Sequence, residues 1–145
     1  MIKKILFIII ILGLTGCKKE NEQKRSEKTE KKSLKNDTTV YNIKDVDILP
    51  QYAGDTEKLQ AFIKKNYVKS EEIIREEIQA GIFAKVIIEK DGSLSNIEII
   101  RDFGYGSGNE LVRVLKLCPK WTPAIKDGQP VRCLYGIHYY VLIDD

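Results

Sequence analysis

Apolar positions along this chain fall into three regimes. Ile5 to Leu14 is an unbroken apolar run, residues 18–39 hold Leu34 as their single large apolar residue, and from residue 47 onward apolar positions recur with the periods of helices and strands. Pro50-Gln51-Tyr52-Ala53-Gly54 reads as a turn ahead of Asp55, whose carboxylate can cap a helix. Leu59, Phe62, Ile63 and Tyr67 follow at helical spacing and predict a core-facing stripe. A second, short helix is predicted from Ser70 to about Gln79, with Ser70 as its cap. Glu71 and Glu72 sit in its first turn, where the dipole favours them. Ile73, Ile74 and Ile78 share one side, and Gly81 lies just past the end.

Residues 82–101 predict a β-hairpin, because Asp91-Gly92 accepts the positive φ of a tight turn between two β-branched runs. Ile82, Ala84, Val86 and Ile88 share one face by period two, and Ile97 and Ile99 join them. Leu111, Val114, Leu115 and Cys118 recur at i, i+3, i+4 and i+7 and predict a last helix stopped by Pro119. Beyond a turn at Lys126-Asp127-Gly128-Gln129, Val131 to Ile143 reads as one long strand. Val131, Cys133, Tyr135, Ile137, Tyr139, Val141 and Ile143 lie on one face; Arg132, Leu134, Gly136, His138, Tyr140 and Leu142 lie on the other.

The first regime is a leader rather than a membrane span. Ile5–Leu14 is far short of the roughly 20 residues a bilayer needs, and Lys3 and Lys4 precede it as the basic head of a secretion signal. It closes on Leu14-Thr15-Gly16-Cys17, which resembles the lipobox of bacterial lipoproteins. That resemblance implies that Cys17 carries lipid and becomes the first residue of the mature chain. Lys18-Lys19-Glu20 is similar to the lysine-plus-acid signal that sends some lipoproteins of the Bacteroidota to the surface. Lysine rather than aspartate follows Cys17, so the inner-membrane retention signal is absent and the outer membrane is the expected destination, on its periplasmic or surface face. The expected organisation is a signal peptide over 1–16, a lipidated cysteine and charged flexible tether over 17–46, and one domain over 47–145. A helix laced with mixed-charge pairs is the rival reading of the tether.

Charge changes the picture by where it sits. The formal +3 divides as +2 over residues 1–16, +3 over 18–39 and −2 over the remainder, so no basic folded face suggests nucleic acid. One histidine and no cysteine pair at ligand spacing lead us to expect no metal and no cofactor. With Cys17 acylated, Cys118 and Cys133 remain. Both fall on core-facing positions, which leaves open either a disulfide across a loop of about 15 residues or two buried thiols. Gly104-Tyr105-Gly106-Ser107-Gly108 lacks the lysine of a phosphate-binding loop and reads as a plain loop. His138 has no serine, cysteine or carboxylate in triad-like order, and Glu71, Glu72, Glu76 and Glu77 fit a solvated helix face, so no catalytic residue is assigned and an enzyme is not expected.

Several segments together are similar to the C-terminal domain of TonB proteins, in the energy-transducer form common in the Bacteroidota. They are the two-helix entry with Phe62, the hairpin Val86-Ile-Ile-Glu-Lys-Asp-Gly-Ser-Leu-Ser, Cys118-Pro-Lys-Trp-Thr-Pro-Ala, and Asp127-Gly-Gln-Pro-Val-Arg leading into the last strand. The resemblance implies an α+β fold, two or three helices on one face of a small antiparallel sheet, with a long C-terminal edge strand. It also implies that this edge takes up an extended, TonB-box-like segment of an envelope protein by strand addition. The residues so implicated are Val131, Arg132, Cys133, Leu134, Tyr135, Gly136, Ile137, His138, Tyr139 and Tyr140. Two departures stand out: Val68-Lys69-Ser70 replaces a Tyr-Pro pair, and His138 occupies a place where the family often has proline. A cleaved leader would also remove the transmembrane helix through which TonB proteins are energised. A structural lipoprotein that dimerises or packs against envelope components or peptidoglycan is the alternative reading.

Overall fold

β-branched and aromatic residues at every second position build the centre of the sheet, and the helices supply its cover. The computed structural model of the protein describes residues 38–143, so the leader, Cys17 and the charged segment up to residue 37 lie outside the described residues. In chain order the elements are β1 (Val40–Asn42), a 3-10 turn (Ile43–Asp45), α1 (Thr56–Asn66), α2 (Glu71–Arg75), β2 (Ala80–Ile88), β3 (Leu94–Arg101), α3 (Ser107–Lys116), β4 (Ala124–Lys126) and β5 (Gln129–Val141). The sheet runs β1-β5-β2-β3, with β4 also paired to β5. β1 is parallel to β5, and every other strand pairing is antiparallel. The fold is therefore α+β as expected, with a mixed rather than wholly antiparallel sheet.

Ile82, Ala84, Val86 and Ile88 of β2 and Ile137, Tyr139 and Val141 of β5 are buried in one cluster with Leu59, Ile63, Ile73, Leu111, Val114 and Leu115. All three helices thus cover the same sheet face, and Phe83, Lys85, His138 and Tyr140 are left on the exposed one. The caps form as the sequence implies, with Asp55 accepting from the Glu57 N–H at 2.9 Å and Ser70 accepting from the Ile73 N–H at 3.4 Å. α2 is shorter than expected. It stops at Arg75 because Glu77 takes a left-handed φ of 50° to turn the chain into β2. Ile73 is buried, Ile78 packs on the core beyond the helix, and Ile74 points outward.

Residues 38–46, assigned from sequence to the tether, instead belong to the fold. Val40, Tyr41 and Val46 are the reason: β1 pairs with Arg132–Leu134, and Tyr41 and Val46 pack on a second small cluster of Ala124, Val131 and Cys133. Cys118 packs against the main cluster instead, and both cysteines are free thiols. The bridge considered from sequence is not formed, because the two residues belong to different clusters rather than to one core. Burial pushes the Cys118 thiol up to about 11 and raises Cys133 as well. Since the thiolate is the reacting form, both should alkylate at least about tenfold more slowly than free cysteine at neutral pH, and fully after unfolding. Mass spectrometry after iodoacetamide treatment, with and without reductant, checks this; a reductant-dependent mass gain would contradict it.

The hairpin between β2 and β3 docks by its turn. Gly92 has φ +81°, its carbonyl accepts from the Trp121 N–H at 2.8 Å, and a Cβ added there would lie 1.9 Å from the Trp121 carbonyl oxygen. Gly92→Ala therefore meets both a left-handed backbone penalty and a backbone clash that no rotamer relieves. We expect a loss of about 3 kcal/mol or more, seen as a melting temperature lower by on the order of 10 °C.

Candidate functional site

β5 is the longest strand, and its two edges are treated differently along its length. On one side β2 pairs with it in unbroken register from Ala80↔Val141 to Ile88↔Cys133. On the opposite side β1 covers only Arg132, Cys133 and Leu134. β4 pairs with Gln129, Pro130 and Val131. From Tyr135 to Val141 the edge facing away from β2 has no strand partner among the described residues. Of the sequence-implied site, Val131 is thus held in the β4 hairpin, Arg132 is paired with β1, and Cys133 and Leu134 are paired along both edges, which narrows the candidate edge to its C-terminal half. The correction has a simple cause: the edge segment extends past β1, whose ladder lies in residues assigned from sequence to the tether.

An antiparallel ladder sends the N–H and C=O of alternate residues away from the partner strand. The Gln60 side-chain amide, projecting from α1, donates to the His138 carbonyl at 2.9 Å, which marks Gly136, His138 and Tyr140 as the outward-facing set. Their side chains lie on the solvent face. The His138 ring stacks on Phe83 at 4.2 Å and sits over Gly81, where a Cβ would come within 2.8 Å of its Nε2. That position makes His138 a packing residue of the exposed face. Tyr135, Ile137 and Tyr139 face the helices. Tyr135 meets Trp121 at 5.3 Å, and Tyr139 meets Tyr67 at 5.2 Å. Tyr67 donates to the Ser107 carbonyl at 3.1 Å, and burial holds its phenol well above the ordinary 10.0.

Beside this open edge a groove of about 640 Å³ runs between α1, the α1–α2 link, α2 and the end of β5. Gln60, Lys64, Val68, Ile74, Tyr140 and Leu142 line it. Val68 is 68% exposed, Ile74 55%, and Tyr140 and Leu142 49% each, an apolar density unusual for a solvated wall. Sequence reasoning missed Gln60, Val68 and Ile74. Ile74 satisfied the helical stripe of α2 and was assigned to the core, while Val68 and Gln60 carry no periodic signal.

The sheet's other long outer edge, β3, is built differently. It pairs with β2 through two register shifts, and Asn96 within it takes a left-handed φ of 46°. Bulges of this kind twist an edge away from further pairing. The regular edge of β5, with no strand partner from Tyr135 to Val141 among the described residues, the Gln60 amide on its His138 carbonyl and an apolar groove alongside, is the one suited to accept another extended chain. Among the described residues, no helix is long and apolar enough to cross a membrane.

Residues 68–141, from the approach to α2 through the end of β5, match the family described as the Gram-negative bacterial TonB protein C-terminal. The NMR solution structure of the Helicobacter pylori TonB C-terminal domain is similar, with 19% identity and a TM-score of 0.41, over 61% of this chain and 95% of that one. No curated protein matches the chain.

Proposed function

Because the chain belongs to the TonB C-terminal family, we propose that it is a lipid-tethered binding module of the cell envelope that takes up an extended segment of another envelope protein as an added strand on β5. Family membership associates the chain with the envelope. The observation that carries the finer reading is the open, regular edge from Tyr135 to Val141 beside an apolar groove. Strand addition draws its affinity from main-chain hydrogen bonds and its selectivity from pockets that take alternate side chains. Gly136, His138 and Tyr140 offer the first; Val68, Ile74 and Leu142 offer the second.

The lipid anchor at Cys17 replaces a motor-coupled helix in this proposal, so the domain captures its partner passively rather than transmitting force from an energised membrane. No group on the edge performs covalent chemistry in it. The rival reading, a lipoprotein whose domain only packs against other copies or peptidoglycan, predicts contacts spread over other faces.

Photocrosslinking in intact cells separates the two. A photoreactive residue at Leu142, in the groove, should give one discrete adduct with an envelope protein, whereas one at Ile100 on β3 should give none. Adducts of equal yield from both positions, or from Ile100 alone, would contradict strand addition on β5.

A further inference from the structure

We infer that β1 is a displaceable stop that fixes where on β5 an added strand begins and confines it to Tyr135–Val141. The inference rests on the strand-addition reading of that edge and adds a device that sets register and length. β1 occupies the same outer edge of β5 immediately before the open segment, pairing Val40, Tyr41 and Asn42 with Arg132, Cys133 and Leu134. Beyond Asn42 the chain leaves the edge through the 3-10 turn at Ile43–Asp45. An incoming strand that extended past Tyr135 toward the start of β5 would meet that departing chain.

The hold on β1 is light compared with that on the other face of β5. None of its residues is buried: Val40 and Tyr41 are half-buried and Asn42 is exposed. Tyr41 and Val46 cover a cluster of only Ala124, Val131 and Cys133, whereas β2 meets β5 through the main core. Individual contacts fasten the strap. Arg132 Nη1 donates to the Thr38 carbonyl at 2.8 Å, Lys126 Nζ donates to the Asp45 carbonyl at 2.7 Å, and the same ammonium lies 5.5 Å from the centre of the Tyr41 ring. Elements with few buried apolar contacts open at far lower cost than the core.

What lies beneath β1 is already prepared for another strand. Arg132 is clamped by Glu89, Nε to Oε2 at 2.7 Å and Nη2 to Oε1 at 2.9 Å, and Ser95 also donates to Glu89. Removing β1 therefore leaves Arg132 in place and lengthens the accessible edge from Tyr135–Val141 to Arg132–Val141.

The test compares the full chain with Tyr41→Pro, which removes the N–H that β1 aims at β5, and with Asn42→Pro as a control that leaves that N–H in place. Arg132 and Leu134 share the outward set of Gly136 and His138, so in the parallel ladder it is Tyr41 that exchanges bonds with them, while the Asn42 N–H faces away and its φ of −80° suits proline. The probes are acetylated peptides of alternating threonine and valine, one of about seven residues to match the open segment and one of about ten to match the whole edge. In the unaltered chain both should bind with equal affinity and shift the amides of Gly136, His138 and Tyr140. In Tyr41→Pro the longer peptide should bind about tenfold more tightly than the shorter and also shift Arg132 and Leu134, whereas Asn42→Pro should behave as the unaltered chain. A longer peptide favoured already in the unaltered chain, or no length preference in Tyr41→Pro, overturns the stop while leaving strand addition standing. Absence of shifts along β5 in every pairing overturns both.

Discussion

Tyr140→Pro should leave the domain folded and weaken capture of an extended segment by about 10- to 100-fold, the loss of one or two main-chain hydrogen bonds plus the obstruction of the ring. Tyr140 belongs to the alternate set whose N–H faces away from β2, as the bond from Gln60 to the neighbouring outward residue His138 shows. Proline at such a position removes no bond within the sheet, and edge positions tolerate it. Tyr140→Ala, which truncates the side chain but keeps the N–H, separates the backbone effect from loss of the ring in the groove and should cost much less. Tyr139→Pro is the opposite control. Its N–H faces β2 and its ring packs on Tyr67, so it should destabilise the fold by about 3 kcal/mol or more. Melting curves with titration of the crosslinked partner's segment check all three; equal binding by Tyr140→Pro and the unaltered chain would contradict the assignment of that edge.

Cys17→Ser should move the protein completely from the membrane to the soluble fraction and abolish incorporation of labelled palmitate. Each buried methylene contributes about 0.8 kcal/mol, so several acyl chains hold a protein on its bilayer without help from the domain. Among the described residues, no helix is long and apolar enough to cross a membrane. Retention of the variant in the membrane pellet, or lack of palmitate in the unaltered chain, would remove the anchor from the account.

Much of the domain was legible in the amino-acid order because local and global signals agreed. β2, β3 and β5 declared themselves through alternation, α1 and α3 through their apolar stripes, and Asp55, Ser70 and Gly92 through the geometry that caps and turns require. The failures share a cause. β1 is three residues long and follows a highly charged segment, so composition assigned it to the tether, although Tyr41 and Val46 have a small core to cover. Parallel pairing of β1 with β5 links residues about ninety positions apart and leaves no local trace. Ile74 kept helical spacing yet faces solvent, because α2 ends early and only tertiary context decides which of two adjacent isoleucines is buried.

The same limit applies to the site. The family resemblance pointed to the last strand, but alternation alone could not tell which of its backbone groups were already taken. That depended on β1 and β4 covering its first part and on Gln60 reaching the His138 carbonyl. The apolar groove was equally hidden, being assembled from residues of α1, the α1–α2 link, α2 and β5.

Amide hydrogen exchange on the full chain, with and without the partner segment identified by crosslinking, tests the central claim most directly. Gly136, His138 and Tyr140, whose N–H groups face outward, should become strongly protected when the segment is bound, while Asn96 and Glu98 on β3 should not change. Unaltered exchange at Gly136, His138 and Tyr140 in the bound state would contradict strand addition on β5.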